Sequence, residues 1–137
     1  MDPVERFCKT YEEARRSPTD DNLYKLLESL LPFSPAGIEW GLEVSSLAGV
    51  TYMLEDGKVV AVKLSRDEFG PFMQTSVAEI PLSSIPSAAL KNIRDVENFV
   101  QRITTHLQDW ASRMPLNNER KSLVEAFIKK LKESGIS

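Results

Sequence analysis

Apolar and polar positions follow two different periods along this chain, and the change of period divides it into three parts. Over residues 3–16, Val4, Phe7, Cys8, Tyr11 and Ala14 recur at helical spacing, with Glu5, Arg6, Glu12, Glu13 and Arg16 on the opposite side. The pattern predicts an amphipathic helix with Pro3 in its first turn, where a missing N–H does no harm. Ser17-Pro18-Thr19-Asp20 reads as a second helix start. Ser17 is the expected N-cap, Pro18 the first helical residue, and Asp20 and Asp21 sit near the positive end of the dipole. Leu23, Leu26, Leu27, Leu30 and Leu31 form its apolar stripe, and Pro32 and Pro35 end it.

The period then drops to two. Ile38, Trp40, Leu42 and Val44 alternate with Glu39, Gly41, Glu43 and Ser45, which predicts a half-buried strand over 38–45. A turn at 46–49 leads to a second strand over 50–55. Asp56-Gly57 is the clearest local signal, because both positions tolerate positive φ and suit a two-residue type I′ hairpin turn. A third strand over 58–65 carries Val60, Val62 and Leu64 on one face. A loop over 66–71 precedes a less regular fourth strand over 72–80. From Ser87 the helical period returns. Ile93, Val96, Val100, Ile103, Leu107, Trp110 and Met114 recur at alternating spacings of three and four, a heptad seam on one long helix over 87–114. Pro115 stops it. Asn117 or Asn118 caps a last helix in which Leu123, Val124, Phe127, Ile128 and Leu131 share a face, and Gly135 follows its end.

The expected fold is therefore a single α+β domain over residues 1–137. Two N-terminal helices precede an antiparallel meander of three or four strands, and a long helix and a C-terminal helix follow. Trp40, Leu42, Val44, Tyr52, Leu54, Val60 and Val62 are expected on the buried sheet face. The helices at 18–31 and 87–114 should cover that face, with Glu39 and Glu43 pointing to solvent. The length suits one domain, and 42% hydrophobic and 27% charged residues are ordinary for a globular protein. No apolar run is long enough to span a bilayer. One cysteine, Cys8, cannot form an internal disulfide, and no signal peptide is visible, so a reducing, cytoplasmic setting is the expectation. The net charge of −3 divides into −6 over residues 1–82 and +3 over 83–137. Ordinary solvated helix faces account for such a mild asymmetry.

Recognisable reactive constellations do not emerge. The six glycines are scattered, and none forms the phosphate-wrapping GxxxxGK loop. Consecutive strands argue against the parallel βαβ unit of a dinucleotide site. One Cys and one His fall short of a structural zinc set, so no metal or other cofactor is expected. His106 flanks the helical seam, and Cys8 lies on an apolar stripe, where a thiol behaves as a small hydrophobe. Glu39 and Glu43, or Asp67 and Glu68, could serve as an acid/base pair only if burial raised one of them.

What remains points to contacts with macromolecules. The seam residues Ile93, Val100, Leu107 and Trp110 can pack within the chain or pair across a dimer axis. Phe69, Phe72 and Met73 beside Gly70-Pro71 form a candidate apolar patch. The leading expectation is a non-enzymatic protein-interaction module, a small adaptor or chaperone-like protein that forms a homodimer. A second is nucleic-acid binding through Arg113, Arg120, Lys121, Lys129 and Lys130, although neighbouring acids dilute them and the last two suit a helix C-terminus anyway. A third is an enzyme with an acidic site on the sheet.

Overall fold

A computed structural model of the chain describes residues 2–66 and 73–135. It has five α-helices and one four-stranded antiparallel sheet, in the expected order of helices, meander and helices. Helix α1 (Pro3–Arg16) starts at Asp2, whose side chain accepts from the Val4 amide at 2.9 Å. Helix α2 (Asp20–Leu30) is capped by Thr19, not Ser17; Ser17 instead closes the end of α1. Both helices bury one stripe and lie against each other. Thr10 and Ser29 share a hydrogen bond of 2.7 Å between them.

Strands β1 (Leu42–Leu47), β2 (Val50–Glu55), β3 (Lys58–Arg66) and β4 (Met73–Ile80) pair in sequence order. The first strand begins later than its alternation suggests. Residues Ile38–Trp40 form a 3-10 turn instead. The reason lies in the neighbouring strand. Leu42 pairs with Leu54, and β2 ends at Glu55 because Asp56 (φ 50°) and Gly57 (φ 77°) make the expected tight turn. Residues before Gly41 therefore have no strand to pair with. Gly41 itself passes so close to Met53 that a Cβ would lie 2.8 Å from the Met53 Cε.

The same turn corrects the expected face of Val60 and Val62, which are buried (4% and 9% exposed) but stand outside the main core cluster. A two-residue turn sets Glu55 opposite Lys58 and Leu54 opposite Val59. Partners share a face, so Val59 joins Leu42 and Leu54 in the core. Val60 and Val62 fall on the other face, with Met53 and Val77. A bulge between Glu43 and Ser45 lets β1 bury both Val44 and Ser45.

The long helix is also divided. A short helix α3 (Ser87–Leu90) and a 3-10 turn (Lys91–Ile93) precede helix α4 (Val96–Arg113). Asp95 caps α4 through the Asn98 amide, and that new start breaks the continuous helix expected from 87. Helix α5 (Glu119–Glu133) is capped by Asn118. Every seam residue from Ile93 to Trp110 is buried in the main core cluster. Helix α4 meets α1, α5, β1 and the 91–93 turn, and α3 packs on β1 and that same turn. Helix α2 packs on α1 and α3. Phe127 of α5 stacks on Phe33 at 4.2 Å and meets the edge of Phe7 at 4.8 Å, joining the chain's two ends.

The turn between β1 and β2 holds Ala48 at φ 53° and Gly49 at φ 82°. An alanine in the left-handed region costs about 1 kcal/mol that asparagine largely avoids. Ala48→Asn should therefore stabilise the fold by about 0.5–1 kcal/mol in denaturant titrations, and Gly49→Ala should destabilise it by about 1 kcal/mol. Equal stability of all three proteins would contradict the turn geometry.

Candidate interaction site

The residues singled out from the sequence are not gathered at one place. Ile93, Val100, Leu107 and Trp110 all lie in the core, none more than 3% exposed. As direct partner contacts they are replaced by whatever the outer surface offers, because the seam closes within one chain. Phe69 and Phe72 lie outside the described residues; Met73 opens β4, where Arg66 is its register partner.

The basic residues are dispersed by their own contacts. Arg120 lies 3.1 Å from Asp56 and donates to the Ser34 carbonyl. Lys121 donates to the Met114 carbonyl at 2.8 Å. Arg113 pairs with Asp109 at 3.1 Å and lies over the Trp40 ring. Lys129 and Lys130 remain exposed near the end of α5. Three of the five are thus held by this chain's own groups, which removes the continuous basic stripe that phosphate binding uses.

Two concave regions stand out. An open groove of about 680 Å³ lies where α4 and α5 meet the β2–β3 turn, lined in part by Trp40, Met114, Leu123 and the Arg120–Asp56 pair. Ser34 organises that end. Its hydroxyl accepts from the Gly57 amide at 2.8 Å, while Asp56 N–H donates to the Pro35 carbonyl at 3.0 Å. Of its lining residues, Arg120 and Asp56 are paired with each other and Trp110 is nearly buried.

The second, of about 280 Å³, collects Glu39, Glu43, Arg102 and His106 between β1 and α4. The sequence placed the two glutamates on one strand face; the structure puts Glu39 in the 3-10 turn and Glu43 on β1. The basic groups here serve the backbone. His106 Nε2 donates to the Trp40 carbonyl at 2.8 Å, because a carbonyl can only accept. Arg102 donates to the carbonyls of Glu43 (2.8 Å) and Val44 (3.3 Å) and lies over the Phe99 ring. Both glutamates are exposed. Asp67 and Glu68 lie outside the described residues. Cys8 is half-buried, and burial pushes its thiol up despite the nearby Lys130, away from the thiolate that reactive cysteines need. Among the described residues, no group of three or more His, Cys, Asp or Glu could hold a metal ion, and no helix is long and apolar enough to cross a membrane.

The two edges of the sheet differ sharply. At β1 the strand is bulged, its carbonyls are taken up by Arg102, and Ser45 accepts from Asn92 at 2.7 Å. Beyond β4 no described residue pairs with the strand. Ser76, Val77, Ala78 and Glu79 are all exposed, and Val77 keeps 46% of its surface in water. This edge was not foreseen. Its signal was present in a last strand of eight residues with one charge, no lysine and no proline. Comparison with known protein families, with curated proteins and with solved structures finds no match, so the functional reading rests on this geometry.

Replacing Arg102 with alanine should cost about 1 kcal/mol of stability, because two carbonyls lose a charged donor. Denaturant unfolding checks this. Replacement by lysine should recover only part of the loss, since a single ammonium does not reproduce the guanidinium fork. Full stability in the alanine variant would show that β1 is not held from α4.

Proposed function

We propose that the chain is a non-enzymatic protein-interaction module whose working surface is the outer edge of β4. The observation that carries this reading is the contrast between the two sheet edges. Folded proteins protect exposed strands with lysine, proline, bulges or covering elements, because unpaired N–H and C=O groups recruit another strand. β1 carries such protection. β4 has an unbroken register with β3 across all its positions, carries no lysine or proline, and is paired on its outer side by no described residue. An extended partner segment can add to such an edge by main-chain hydrogen bonds, with alternate side chains giving selectivity.

The chemistry of the other surfaces supports the same choice over catalysis. His106 and Arg102, the basic groups nearest Glu39 and Glu43 in the cleft, are committed to backbone carbonyls. The reading makes the protein a small adaptor or chaperone-like module. We place it in the cytoplasm, where a lone, half-buried thiol such as Cys8 stays reduced.

Amide hydrogen exchange on dilute protein tests the open edge. Amides of β4 that face away from β3 should exchange within the time of unprotected groups, while amides pairing β2 with β3 stay protected. Protection of all β4 amides in dilute, monomeric protein would mean that the edge is already covered within the chain, and would overturn the reading.

A further inference from the structure

We infer that the strand received by β4 is β4 of a second copy, paired antiparallel about a two-fold axis at Val77 to give one continuous eight-stranded sheet. The inference rests on the reading of β4 as an interaction edge and names its occupant.

The first argument is register. A two-fold axis perpendicular to a sheet keeps the same face of both copies on the same side. With the axis at Val77, Val77 meets its own copy, Ser76 meets Ala78, and Thr75 meets Glu79. Glu79 is the only charged residue of the strand, and this pairing sets it across from a neutral residue. Like charges directly opposite each other would oppose pairing, and none arise here. The strand is thus complementary to itself.

The second argument is continuity of the apolar face. Val77 pairs with Val62 on β3, and Val62 with Thr51 on β2. Joining two copies at Val77 sets the Val62–Val77 pair against its mate, four valines in a row, and covers Val77, the one valine of the sheet that stands half in water. On the other face the same junction brings together Ser76 and Ala78, which are small enough not to obstruct two backbones at strand spacing.

The third argument is closure. Association through one exposed edge stops at two copies only if the opposite edge cannot take part. Here the β1 edge is bulged and bound by Arg102. Each copy therefore offers a single edge, and pairing yields a closed, two-fold dimer instead of a growing sheet.

The test uses the full chain in sedimentation velocity from about 1 to about 200 µM, the range in which a small interface of this kind dissociates. We expect monomer at the low end and dimer at the high end. Val77→Lys sets two ammonium groups across the axis and should raise the dimer's Kd at least about tenfold. Its unfolding midpoint in dilute solution should stay close to that of the parent, because the position is exposed in the monomer. In a Cys8→Ala background, Val77→Cys should form an intermolecular disulfide under mild oxidation, since directly opposed strand residues lie within disulfide reach. A Ser83→Cys control, beyond the strand, should crosslink much more slowly. A parent chain that stays monomeric at about 200 µM, with β4 amides exchanging freely, overturns the second copy as occupant and leaves the interaction edge standing. A dimer that survives Val77→Lys unchanged and gives no Val77→Cys crosslink also overturns it. Protected β4 amides in the dilute monomer overturn both readings.

Discussion

The structure depends on burying the apolar seam of α4. Helices α1 and α5, joined through the Phe7–Phe127–Phe33 stack, pack on it, as do β1 and the 91–93 turn, on which α3 rests in its turn. Once these are in place, the helices' large apolar side chains are used up. On the core-facing side of the sheet, burial falls off toward β4 beyond the first core row. Leu42, Leu54 and Val59 join the core and half-buried Ile80 packs against it, whereas Ala61 is half-buried and Ala78 exposed one row further along. The same constraint that makes the helical layer compact leaves β4 at the margin.

Those consequences separate stability from function. The seam, the aromatic stack and the Ser34–Asp56–Arg120 junction join elements far apart in sequence and determine whether the chain folds. The cleft holding Glu39, Glu43, Arg102 and His106 looks reactive from its composition. Its hydrogen bonds show a clamp instead: Arg102 and His106 fasten α4 to the backbone around β1. Of the charges that could have lined a phosphate site, Arg120 and Lys121 are similarly tied down around the start of α5. Val77 and the side of β4 that no described residue pairs with are the surface on which the proposed interaction rests.

Much of the architecture was legible because it was encoded locally. The stripes of α1, α2 and α5, the Asp56-Gly57 turn and the order of elements all follow from short-range patterns. The misplaced details depended on partners distant in sequence. Alternation over 38–45 describes a strand well, but a strand needs a neighbour, and β2 ends too soon to supply one before Leu42. Val60 and Val62 alternate as expected, yet their face is decided by counting through the two-residue turn, which sets Val59 against Leu54. That step was available from the sequence. The break before α4 was also available, since Asp95 is a good capping residue, but the regular heptad spacing masked it. The open edge was the hardest to read, because an edge is defined by the absence of a neighbouring strand and no local pattern records that.

Edge-to-edge assembly through β4 has a characteristic shape, and solution X-ray scattering across a concentration series measures it directly. Pairing through β4 predicts that the dimer's maximum dimension grows along the direction that adds strands, giving an elongated particle with the monomer's cross-section. A compact dimer, with its maximum dimension close to the monomer's, would mean that the copies meet through their helices or sheet faces and would contradict the account.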